Sequence, residues 1–120
     1  YDLLAEYISP ENLLLDAEAI QNRQKSYVGN KKILDFINQY RIWSGEIGSM
    51  SFEFFVQQSQ IVQALGYELA LKAHLSNQPH CMGTLLWQLN DCWPGASWSI
   101  INYNGKPKAA YWEVKRVLTD

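Results

Sequence analysis

Met82-Gly83-Thr84-Leu85-Leu86-Trp87-Gln88-Leu89 is the run on which the fold turns. It is nearly apolar throughout and does not alternate. Such a run fits a strand buried on both faces, as in a parallel sheet covered by helices. One strand cannot satisfy its own backbone donors and acceptors. Its ladder partners must therefore come from outside these 120 residues, or from a second copy. The expected state of the chain is a segment of a larger sheet-containing unit.

The clearest helix precedes this run. It opens at Ser51, and Phe52, Phe55, Val56, Ser59, Val62, Gly66, Leu69 and Ala73 recur at spacings of three and four, which marks a buried face. Gly66 costs about 1 kcal/mol of helix propensity and suits a close approach by another backbone. Asn77-Gln78-Pro79 should end the helix, because proline disfavours a helical residue before it. Farther upstream, Ser9-Pro10-Glu11 combines a cap, a first-turn proline and an acid, predicting a helix to about Gln24. Gly29-Asn30 breaks it. A second helix is predicted over Lys31 to Arg41, with Ile33, Phe36, Ile37 and Tyr40 on one face. Trp43 to Met50, with Gly45 and Gly48, reads as a loop.

Downstream, Asn90 to Gly105 is irregular, with Pro94, Gly95 and Asn104-Gly105. Pro107 then opens a last helix to about Leu118, with Ala110, Tyr111, Val114 and Val117 inward. Trp112 is expected in the core beside them.

The composition, 48% hydrophobic and 18% charged, suits a folded chain. A net charge of -2 without a Lys/Arg cluster points away from nucleic acid and anionic membrane as partners. No apolar run reaches the ~18 residues of a membrane span. The chain opens at Tyr1 with neither a Met nor a leader pattern, and nothing in it indicates a compartment. Cys81 and Cys92 are too few for a disulfide framework, match no zinc spacing, and are expected to be small buried residues. His74 and His80 lack an acidic partner at ligand spacing, so no metal is expected. No phosphate loop or dinucleotide fingerprint occurs, and no cofactor is implied. Lys106, Lys108, Lys115 and Arg116 are expected to form a solvated face.

The specific signal is Trp87-Gln88-Leu89-Asn90-Asp91-Cys92-Trp93-Pro94-Gly95-Ala96-Ser97-Trp98-Ser99, continuing as Tyr103-Asn104-Gly105-Lys106-Pro107-Lys108-Ala109-Ala110-Tyr111. It resembles the end of the catalytic domain in β-mannosidases of glycoside hydrolase family 2. Gln60, Gln63, Ala64 and Cys81-Met82-Gly83-Thr84 fit as well. The resemblance is strong over about 50 to 116 and thin over the first 40 residues. It implies an α/β fold, the C-terminal portion of a (β/α)8 TIM barrel, mostly helical here with one buried parallel-type strand at 82-89. Residues 1-49 would be the excursion and helices after strand seven. Residues 50-120 would be helix seven, strand eight, a Trp-rich loop and helix eight. Active sites of such barrels lie at the C-terminal ends of the strands, where this loop emerges.

A retaining glycosidase needs two carboxyl groups about 5–5.5 Å apart. The resemblance puts both family glutamates, at the ends of strands four and seven, before Tyr1. Glu53 sits inside the strongest helical pattern, and Glu6, Glu11 and Glu46 have no motif behind them. The expectation is therefore no catalytic residue in this chain and no hydrolase activity of the chain alone. Its substrate would be a β-mannoside glycoside or oligosaccharide, and its protein partner the rest of the parent barrel.

Candidate substrate-binding residues are Trp87, Asn90, Asp91 and Trp93. Trp87 offers a flat apolar platform for a sugar ring, or packs between sheet and helices. Asn90 and Asp91 can bond sugar hydroxyls, orient neighbouring groups, or close a turn on their own backbone. Trp93 and Trp98 can wall a pocket or pack the loop onto the rim. Related readings are an exo-β-glucosaminidase, a β-galactosidase or β-glucuronidase, and a non-catalytic carbohydrate-binding module. A module would be stable alone. A barrel segment would aggregate, self-associate or repack its helices through exposed strand flanks.

Overall fold

The computed structural model describes residues 1–40 and 50–120. Most of the predicted Trp43–Met50 loop, with Gly45, Glu46 and Gly48, lies outside the described residues, as does Arg41. The described chain is mostly helical: α1 (Asp2–Ala5), a 3-10 turn (Pro10–Asn12), α2 (Glu18–Gln21), α3 (Lys31–Tyr40), α4 (Phe52–Ser76) and α5 (Ala109–Thr119).

The predicted helix from Ser9 to Gln24 is broken into a turn and a single helical turn. The Ser9 hydroxyl accepts from the Asn12 side chain at 2.9 Å and caps no backbone N–H. Leu13 then leaves helical geometry at ψ 59. The break lets Ile8, Leu13 and Ile20 share one core with Ile37, Phe52, Phe55 and Val62. Gly29, at φ +72, separates this region from α3. On α3 only Ile37 is fully buried. Phe36 and Tyr40 are exposed and stack on each other, while Ile33 and Leu34 pack against the core.

Helix α4 starts as its sequence predicts. Ser51 accepts from the Phe54 N–H at 3.2 Å, satisfying an orphan donor. The predicted stripe holds through Val62 and then turns away. Gly66, Leu69 and Ala73 are exposed, and Leu71 is buried against Val114 and Val117 of α5. The reason is that α5 packs on a different side of α4 from the N-terminal core. A Cβ on Gly66 would meet nothing within 4 Å, so no backbone of the described chain approaches it. On α5, Ala110, Val114 and Val117 are buried, Tyr111 is half-buried, and Trp112 is exposed rather than in the core.

The apolar run 82–89 forms no strand among the described residues. Met82, Leu85, Trp87 and Leu89 are 72%, 100%, 74% and 57% exposed, the opposite of what their sequence asks. The physical cause is the absence of a ladder partner among the described residues. Within the run Thr84 meets His74 and Leu86 packs against Leu71, Val114 and Val117, and the Gln88 and Leu89 carbonyls accept from Ile100 and Ile101. The one pairing described as β is an isolated antiparallel bridge between Ile101 and Pro107. Among the described residues, no helix is long and apolar enough to cross a membrane.

Candidate functional site

The loop between the apolar run and α5 is irregular but held at many points. Ile100 N–H donates to the Leu89 carbonyl at 3.2 Å, and Lys108 N–H donates to the Ile100 carbonyl at 2.9 Å. Gln63 of α4 donates to the Trp98 and Ser99 carbonyls at 3.2 and 3.0 Å. The Asn102–Lys106 turn closes at 2.8 Å, with Gly105 at φ +82 supplying the left-handed residue.

Asp91 is the hub. Its side chain is 2% exposed. Oδ1 accepts from Lys25 Nζ at 2.8 Å and from the Ser97 hydroxyl at 2.6 Å. Oδ2 accepts from the Ser99 hydroxyl at 2.6 Å, and Lys108 Nζ stands 3.6 Å away. Burial pushes this carboxyl up. The hydrogen bonds from Lys25, Ser97 and Ser99 and the charge of Lys108 outweigh it, leaving the pKa below the usual carboxylate value. The Lys108 ammonium is held below its usual value, chiefly by burial and also by the Lys25 charge, against the pull of Asp91. Lys108 thus departs from the expected solvated face: it is 8% exposed and tied to the hub.

The expected site residues therefore separate. Trp87, Asn90 and Trp93 are exposed, as is Trp98. Asp91 presents no accessible oxygen to a ligand, because each already has partners and the side chain is buried. Cys92 is exposed and Cys81 half-buried, against the expectation of two buried thiols. His74 Nδ1 lies 2.8 Å from the Thr84 hydroxyl. Lys25, Ser97, Ser99 and Lys108 were missed as hub residues. A Ser-x-Ser pair after an acid is a faint local hint, whereas Lys25 lies 66 residues away and carries no sequence signal.

A cleft of about 620 Å³ runs between α3, α4 and the loop, lined by Phe36, Tyr40, Val56, Gln63 and Trp98 among others. None of Trp87, Asn90, Asp91 or Trp93 lines it. Ser97 and Lys108 of the hub do line it, as does Trp98, so the hub borders the cleft.

In sequence and in fold the chain resembles a segment of a glycoside hydrolase. The particular likeness is to β-mannosidases. Over 70 residues the chain is 46% identical to β-mannosidase B of Aspergillus niger, covering 55% of this chain and 8% of that protein. The β-mannosidase B of Emericella nidulans is 44% identical over the same length and shares. A solved β-D-mannosidase from Dictyoglomus thermophilum matches 99% of this chain at TM-score 0.87 and 29% identity, over 14% of its own length. The chain thus spans a small part of each relative it matches. No family model matches it.

Proposed function

We propose that this chain is the closing segment of the (β/α)8 barrel of a retaining exo-glycosidase that releases terminal β-D-mannose. The observation carrying this reading is the likeness of nearly the whole chain to a β-D-mannosidase, 99% of it at TM-score 0.87. In this reading residues 1-49 are the excursion and helices after strand seven. Residues 50-120 give helix seven, strand eight at 82-89, the Trp-rich loop and helix eight. The exposure of the apolar run supports it: these side chains await a sheet that the parent supplies.

Trp87, Asn90 and Trp93 would face the terminal sugar, the indoles offering apolar platforms and the amide a hydrogen bond. Asp91 would act through the loop it holds. The glutamates that protonate the leaving oxygen and form the glycosyl-enzyme lie elsewhere in the parent. Glu53 is an exposed first-turn residue of α4, remote in kind from a strand-end nucleophile.

The test compares the purified 120-residue chain with the full-length protein on aryl β-mannoside, β-glucosaminide, β-galactoside and β-glucuronide. The expected result is turnover of the mannoside by the full-length protein alone. Preference for another sugar would remove the mannosidase reading and keep the barrel. Turnover by the 120-residue chain would overturn the assignment of the carboxylates.

A further inference from the structure

Trp93 is held by Lys25 and remains about half exposed. Lys25 Nζ sits 4.2 Å from the centroid of its ring, within the range of a cation–π contact. The Lys25 side chain is 5% exposed, whereas Trp93 is 47% exposed. One part of the indole is therefore covered while much of it faces solvent. The ring edge is held by the same segment, since Trp93 Nε1 donates to the Arg23 carbonyl at 3.4 Å.

Three more contacts bind this segment to the loop. Lys25 N–H donates to the Ala96 carbonyl at 3.1 Å, and Arg23 Nη1 donates to the Pro94 carbonyl at 3.3 Å. A Cβ on Gly95 would lie 2.3 Å from the Arg23 carbonyl oxygen, so only glycine admits this approach. Lys25 itself is fixed by the Asp91 carboxylate at 2.8 Å. Its ammonium thus has an anion on one side and an aromatic ring on another, with little freedom left.

We propose that Lys25 is a positioning residue for sugar binding, fixing the Trp93 indole so that its open surface is a rigid platform for a pyranose ring. This rests on the mannoside reading above. A platform ordered before the ligand arrives loses less freedom on binding, and that difference appears as affinity. Lys25 touches neither sugar nor reacting atoms. It acts through Trp93.

The experiment uses the full-length protein with Lys25→Met, which keeps length and removes charge, and Lys25→Arg, which keeps the charge and can lay a planar guanidinium on the indole. With an aryl β-mannoside, Lys25→Met should raise KM about three- to tenfold, with a smaller change in kcat. Lys25→Arg should recover most of that loss. In protein containing 5-fluorotryptophan, the 19F resonance that disappears in Trp93→Phe should move and broaden in Lys25→Met. An unchanged KM or an unmoved resonance overturns the proposal and leaves the mannosidase reading intact. Failure of the unaltered protein to turn over the mannoside overturns that reading, and the platform with it.

Discussion

The apolar run 82–89 and the loop 90–108 invert the usual relation between composition and order. The run is nearly all hydrophobic, yet Leu85 is 100% exposed. The loop is rich in Gly, Pro, Asn and Ser, yet Asp91, Ser99 and Ile100 within it are buried and bonded. The difference lies in where the partners are. The loop finds its partners on Lys25, Gln63 and Lys108 of the same chain. No strand among the described residues pairs with the run. Hydrophobic effect and hydrogen bonding state what a segment requires, and only the surrounding chain decides whether it is met.

The largest expected effect breaks this comparison most directly. Leu85→Asp in the 120-residue chain should change stability by no more than about 0.5 kcal/mol, as for an exposed position. In the full-length protein the same change would bury an unpaired carboxylate and cost about 4 kcal/mol or more. Paired denaturant titrations read both. Equal small effects would mean that the run stays exposed in the parent too.

Asp91 tests the loop's side of the comparison. Asp91→Asn leaves Lys25 and Lys108 without their counter-charge and should cost about 3 kcal/mol. Its pH dependence has a definite sign. The folded carboxyl titrates below its usual value. Its stabilisation is therefore full above the unfolded value of about 3.9 and is lost as pH falls through the folded one. The stability gap between unaltered and Asp91→Asn protein should be wide at neutral pH and close below about pH 4. A gap independent of pH would show that the carboxylate's charge is not what the loop uses.

Gly95→Ala comes next, at about 1–3 kcal/mol. The new methyl would press on the Arg23 carbonyl, and backbone has little room to yield. Urea midpoints of the full-length variant measure it. A neutral result would mean that the 23–25 segment moves aside without consequence.

How legible each part was in the sequence follows the same division. Helices α3, α4 and α5 could be read from period and breakers, because those signals are local: α4 opens at Ser51 as expected, and Asn77 ends it before Pro79. The helix from Ser9 was misread because its cap geometry depends on Asn12 and on the core that draws Leu13 inward. The second half of the α4 stripe was misread because α5 chose the face. The tryptophans of the loop could be read as close in sequence, and Trp87, Trp93 and Trp98 are exposed. The Lys25–Asp91 pair was not, because nothing near either residue announces a partner 66 positions away.

The smallest effect isolates burial as the deciding variable. Lys31–Asp35 joins the same two residue types as Lys25–Asp91, at 2.6 Å against 2.8 Å. Distance alone would rank the helical pair higher. Its side chains are 77% and 58% exposed, however, against 5% and 2% at the hub. Water screens the first pair and holding its two exposed side chains together costs freedom, so Lys31→Ala should lose only about 0.3–0.5 kcal/mol. Lys25→Ala strands a buried carboxylate and should lose several times more. Salt separates the two further. Raising ionic strength should erase most of the Lys31 effect and little of the Lys25 effect, since ions reach only the exposed pair. Equal losses at both positions would mean that the Asp91 hub is open to water and does not order the loop.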